Sequence, residues 1–111
     1  ANGLHELVRR LRRPPDAVVC ANDVMAIGCI DAARFDLNLD VPGKLSVVGF
    51  DGVGPARWRS YDLITVQQPV RRMAEAAVSM IVERIENPGL PPEKRTFSGI
   101  LTNGSSARLR K

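Results

Sequence analysis

The sequence predicts an α/β domain, a parallel sheet flanked by helices. Two patterns carry that expectation. Short apolar runs rich in β-branched residues, Ala17–Ala21, Leu45–Phe50 and Leu63–Val66, have the length of buried strands. Segments with helical periodicity alternate with them through short loops, and such an alternation builds a sheet covered by helices. A third observation is where the polar residues fall. Asn22 and Asp23, then Asp51, then Gln67 and Gln68, each follow an apolar run directly. In open α/β sheets that position is the carboxyl end of a strand, where ligands bind.

The first helix is read from Leu4, Leu7, Val8 and Leu11, spaced to share one face. Arginines fill its other side. Arg12 and Arg13 suit the negative end of the helix dipole, and Pro14-Pro15 stop it. A helix with no strand before it is the expectation for a piece of a longer protein. The strand Ala17–Ala21 then ends at Asn22-Asp23, either of which can cap the next helix by accepting from a free backbone N–H. That helix, Val24 to Phe35, has two apolar stripes, Met25, Gly28, Cys29 and Ala32 beside Val24, Ile27 and Ile30. A surface helix needs one stripe, so the second implies another layer or another subunit.

The strand Leu45–Phe50 is closed by Asp51-Gly52. The loop after it carries the only Trp and the only Tyr, and Trp58 reads as either a core plug or an interface anchor. Beyond the third strand, Val70, Met73, Ala74, Ala77, Val78, Ile81 and Ile85 form a continuous helical stripe, ended by Asn87-Pro88-Gly89. A sheet outside this chain, or a second copy, is expected to cover that stripe. A last strand is expected over residues 95–101, and residues 102–111 are expected to fray.

Composition narrows the function. The 111 residues suffice for one small domain, and the hydrophobic content of 44% is that of a globular protein. Aromatics are scarce at 5%, which argues against a stacking surface for single-stranded nucleic acid. The net charge of +4 is spread out except for Arg9–Arg13 and Arg108–Lys111, which read as solvated faces. Cys20 and Cys29 are not in a C-x-x-C pair and the single His5 is far from both, so no metal site is expected. Free thiols in apolar surroundings fit a reducing cytosol. No run reaches the length of a membrane span. There is no phosphate-cradling glycine loop, and no serine stands with a histidine in a catalytic arrangement. Catalytic residues and cofactors are therefore not expected. A carboxylate and amides at one rim can grip neighbouring hydroxyls, which is binding chemistry.

Two segments, PDAVVCANDVMAIGCIDAARFDLNLDVPGKLSVVGFDGV and LITVQQPVRRMAEAAVSMIVERIENP, with NGSS near the end, carry a resemblance. The chain resembles the C-terminal part of the effector-binding domain of lactose-repressor/galactose-repressor (LacI/GalR) transcription regulators. That resemblance implies the C-terminal lobe of a type I periplasmic-binding-protein-like fold. Residues 1–68 would form part of this lobe, 69–94 a crossover and a helix of the N-terminal lobe, and 95–111 the final strand and tail. Asn22 and Asp51, with Gln68 at the crossover, would contact a small effector such as a sugar or nucleobase, and Asp23 would cap the helix. Val24, Ile27, Ile30, Trp58 and Arg59 would lie at a homodimer interface. Operator DNA would be bound only through a headpiece absent from this chain, in a cytoplasmic repressor without membrane contact. The alternative is a periplasmic sugar-binding protein of an ABC transporter with the same fold.

Overall fold

A computed structural model describes residues 2–109. In order they form α1 (Asn2–Leu11), β1 (Ala17–Val19), α2 (Asp23–Asp31), β2 (Ser46–Val48), β3 (Val66–Gln67), α3 (Val70–Glu86) and β4 (Ile100–Leu101). They divide into two compact units, residues 2–67 with 101–109, and residues 68–100.

In the first unit β1 and β2 are parallel, with Ala17, Val18 and Val19 opposite Ser46, Val47 and Val48. Single parallel bridges, Val48 to Ile64 and Asp51 to Gln67, extend the layer toward β3. β3 pairs in turn with β4. One face of this layer is packed. Ala26, Cys29, Ile30 and Ala33, with Leu4 of α1, form one buried cluster with Leu45 and Val47. The opposite face is open: Val19 is 80% exposed, and Val19, Val48, Phe50 and Val66 line a shallow apolar hollow of about 430 Å³. The expectation of a fully buried first strand is thus corrected. Its side chains alternate between the two faces, and among the described residues helices cover only one.

α2 does not run on as a regular helix to Phe35. It widens into a π-helix over Ala32–Asp36, where the Leu37 N–H donates to the Ala32 carbonyl at 3.1 Å. The final strand is also shorter than expected, confined to Ile100–Leu101 instead of 95–101. The expected fraying of the last residues is overturned for 102–108, while residues 110 and 111 lie outside the described residues. Ser106 is 2% exposed, its Oγ accepts from the Ile64 N–H at 2.9 Å, and it donates to the Val47 carbonyl at 2.6 Å. The Arg108 N–H donates to Ser46 Oγ at 2.9 Å. A polar segment can bury itself where it completes the hydrogen bonds of a strand edge. A run of Thr, Asn, Gly and Ser hides that capacity from a reading based on hydropathy.

The second unit is α3 with the chain that returns along it. No residue of α3 is buried. Arg84 donates to the carbonyls of Leu90 and Pro91, and the Arg72 guanidinium lies 5.4 Å from the Phe97 ring centre. Val78, Ile81 and Ile85 stay exposed, as expected of an apolar stripe that this chain does not cover.

Candidate functional site

The carboxyl ends of the parallel strands form one rim. Pairing of the two chains continues beyond β1 and β2 but slips by one residue. The Cys20 N–H donates to the Val48 carbonyl at 2.9 Å and the Asp23 N–H to the Phe50 carbonyl at 3.0 Å. Asn22 and Asp51 thus both lie just past the carboxyl ends of β1 and β2. Both side chains are half-buried, so neither is sealed beneath the core.

Asn22 is the N-cap of α2. Its backbone is extended, and its Oδ1 accepts from the Met25 N–H at 2.9 Å. Because that partner is a donor, the bond fixes which amide atom is oxygen. It occupies one oxygen lone pair and leaves the NH₂ donors for other work. The expectation that Asp23 caps the helix is therefore corrected. Asp23 is fully buried and faces the other way. Its Oδ2 accepts from the Gly52 N–H at 2.7 Å and the Val53 N–H at 2.9 Å, and its Oδ1 accepts from Thr65 Oγ1 at 2.6 Å. The chain makes room for it at Gly49, where a Cβ would fall 2.4 Å from Asp23 Oδ1. One carboxylate thus ties the ends of β1, β2 and the strand leading into β3.

Asp51 has φ +131°, a backbone conformation that side-chain-bearing residues avoid. Strain of this kind persists only where the surroundings over-determine it, and it concentrates at binding and catalytic sites. Two hydrogen-bonded neighbours hold it here. The Asp51 N–H donates to the Val66 carbonyl at 2.9 Å, and the next two N–H groups are those bound by Asp23. Gly52 follows at φ +82°, and a Cβ there would lie 2.9 Å from the Gln67 Cα. Across this turn Arg57 Nη2 donates to Gln67 Oε1 at 3.1 Å. Gln68 opens the second unit, half-buried, with its carbonyl accepting from the Val70 N–H at 2.9 Å.

Of the residues assigned to a subunit interface, Val24 and Trp58 are 70% and 62% exposed. Arg59 is exposed and Ile27 is half-buried. Ile30 is corrected: it is fully buried in the core of its own chain and offers a partner no surface. The loop carrying Trp58 and Arg59 is pinned to α2 and its extension. Arg34 donates to the Ser60 carbonyl and, at 3.2 Å, to that of Val41, while Tyr61 Oη donates to Asp31 at 3.2 Å.

Cys20 and Cys29 are buried free thiols. Burial pushes both up, Cys29 to about 11, so neither is a thiolate near neutral pH. Among the described residues no group of three or more His, Cys, Asp or Glu is placed to hold a metal ion. No described helix is long and apolar enough to cross a membrane. An amide, a carboxylate and an apolar hollow thus stand near one another at the carboxyl ends of the strands.

Residues 1–107 match the family model described as a periplasmic binding protein-like domain. The HTH-type transcriptional repressor PurR of Photorhabdus laumondii is 43% identical over 84 residues, spanning 76% of this chain and 24% of that protein. This chain therefore spans about a quarter of the length of the curated relatives it matches. A LacI-type transcription regulator from Bifidobacterium animalis superposes with TM-score 0.81 at 32% identity, over 93% of this chain and 36% of that one. A LacI family regulator from Lactobacillus casei with bound sucrose gives TM-score 0.69 at 31% identity, over 84% of this chain and 34% of that one.

Proposed function

The chain belongs to the periplasmic binding protein-like domains, in the effector-binding branch of the LacI/GalR transcription regulators, and from that premise we propose that it senses a small molecule at the rim carrying Asn22 and Asp51. One observation carries this reading. An amide and a carboxylate stand just past the carboxyl ends of two neighbouring parallel strands, and the carboxylate sits on strained backbone. The class of effector is a sugar or a nucleobase. Hydroxyls and ring nitrogens both pair with an amide donor and a carboxylate acceptor. The regulator from Lactobacillus casei was solved with sucrose, in line with the sugar arm of that choice.

The first unit is read as part of the C-terminal lobe and the second as a helix of the N-terminal lobe. Gln68, at the start of the second unit, is the third effector contact. Effector held between the lobes favours one closure state, and a homodimer joined through Val24, Ile27, Trp58 and Arg59 passes that preference to DNA-binding parts. The coupling required is about 1–3 kcal/mol, the usual range for such linkage. Operator recognition is not assigned to these 111 residues, and the working compartment is the cytoplasm. A transporter receptor of the same fold is not favoured, because the relatives named above are transcription repressors and regulators.

The test is a thermal-shift screen of the full-length protein against sugars and nucleobases, since a ligand of the native state raises apparent stability by mass action. The expected result is stabilisation by at least one compound that is lost in Asp51→Asn. Stabilisation that survives both Asp51→Asn and Asn22→Ala would move the site elsewhere.

A further inference from the structure

We infer that Asp23 is a positioning residue for the effector site: a buried carboxylate that never meets the ligand but holds the Asp51 backbone in its binding conformation. The inference rests on the effector reading above and adds a residue and a role to it. Asp51 needs φ +131°, which the chain does not adopt unaided. Its position is bracketed by two sets of bonds. On its own N–H it is held to the Val66 carbonyl at 2.9 Å. On its carboxyl side the two following N–H groups, of Gly52 and Val53, converge on one oxygen of Asp23 at 2.7 and 2.9 Å. Two successive amides aimed at a single oxygen fix the orientation of the peptide planes between them. The plane that leaves Asp51 is one of these.

The carboxylate is itself locked. Its second oxygen takes the Thr65 hydroxyl at 2.6 Å, in a site where Asp23 is fully shielded from water. Thr65 is in turn bonded to Thr102 in both directions. Its N–H donates to Thr102 Oγ1 at 3.2 Å, and its carbonyl accepts from the Thr102 N–H at 2.8 Å. Residues 65–67 and 101–102 are the threads by which the chain leaves and rejoins the first unit. Asp23 therefore connects the turn of the ligand carboxylate to those threads through two bonds. Asp23 and Thr65 are buried, so the bond between them is made away from solvent.

The experiment is isothermal titration of the full-length protein with whichever of ribose, cellobiose, sucrose, hypoxanthine, guanine and adenine the wild type binds. Four variants accompany it: Asp23→Ala, Asp23→Asn, Val53→Pro and Ile30→Val. Asp23→Ala leaves Gly52 and Val53 without their acceptor and is expected to weaken binding about tenfold or more, the consequence of losing bonds to a charged group. Hydrogen exchange at the Gly52 and Val53 amides should rise with it. Asp23→Asn keeps an oxygen for those amides and turns its NH₂ toward the Thr65 hydroxyl, which can rotate to accept. It is expected to hold affinity within about threefold of wild type. Val53→Pro removes one clamp donor at a residue whose φ of −69° suits proline, and its ring takes the place of the hydrogen aimed at Asp23 Oδ2, so the carboxylate is driven off the turn. It is expected to weaken binding by about threefold or more, as the loss of one such bond implies. Ile30→Val loosens the core without touching the turn and should leave affinity unchanged.

Wild-type affinity in both Asp23→Ala and Val53→Pro, while Asp51→Asn abolishes binding, would overturn the positioning role and leave the effector reading standing. Equal losses in Ile30→Val and Asp23→Ala would reduce Asp23 to general stability and overturn it too. If Asp51→Asn binds as the wild type does, or no probe is bound by the wild type, the effector reading fails and takes this inference with it.

Discussion

Asn22 is asked to do two things with two ends of one amide, and a substitution can separate them. Its oxygen caps α2 through the Met25 N–H at 2.9 Å. On the function proposed above, its nitrogen is the donor for the effector. Asn22→Asp keeps an oxygen for the cap, and a negative charge at a helix N-terminus is itself favourable by about 0.3–1 kcal/mol. Stability should therefore change by less than about 0.5 kcal/mol or rise slightly. Effector binding should suffer, because the donor is gone and a negative charge stands in its place. A lost hydrogen bond at a desolvated site costs about 1–3 kcal/mol, or roughly tenfold to a hundredfold in Kd. Asn22→Ala removes both functions. It should cost about 1 kcal/mol of stability from the lost cap as well as the same affinity. Urea denaturation gives the first quantity and calorimetric titration the second. The reasoning is refuted if Asn22→Asp binds effector as tightly as the wild type, or if it destabilises as much as Asn22→Ala.

Other perturbations follow from the same contacts. Ser106→Ala leaves the Ile64 N–H and the Val47 carbonyl without their shared hydroxyl, and should cost about 2–4 kcal/mol in urea denaturation. Gly52→Ala forces a side chain onto φ +82° and to within 2.9 Å of the Gln67 Cα, so a loss of about 2 kcal/mol or more is expected in the melting curve, with weaker effector binding. Burial holds the Cys29 thiol up at about 11, against 9.0 for an ordinary thiol. The folded protein thus keeps its proton where the unfolded chain has lost it. Stability falls as pH rises from 9 toward 11, and thiol-reactive dye should label native protein slowly at pH 8. Ile81→Lys, on the exposed stripe of α3, should leave the stability of the 111-residue chain unchanged while lowering its fluorescence with a dye for apolar surface.

β1, β2 and α3 were legible because their signals are local, whereas the third strand, expected over Leu63–Val66, is confined to Val66–Gln67. Val70–Glu86 has a stop at each end and a stripe with no break, and the helix occupies that span. The place of Asn22 and Asp51 was legible for a related reason: each follows an apolar run, and parallel strands end on the same side. Asp23 was not legible. In sequence it stands where Asn22 stands, and only the fold shows that one side chain turns back to the helix while the other turns under the sheet. Ile30 was misplaced because a stripe of three-residue steps drifts around a helix of 3.6 residues per turn. Along it Val24 is exposed, Ile27 half-buried and Ile30 sealed. Ser106 was missed because its burial depends on Val47 and Ile64, far away in the chain.

The way the chain exits and returns has a practical consequence. As the returning segment advances from Thr102 to Ser105, its partner retreats from Thr65 to Asp62, so the two threads run side by side in opposite directions. A tight reverse turn can join these two threads in place of residues 68–100, since antiparallel neighbours accept a two-residue connection. The excised scaffold would keep the Asp23 clamp and the Ser106 rivet, a starting point for grafting other recognition modules onto the same stem.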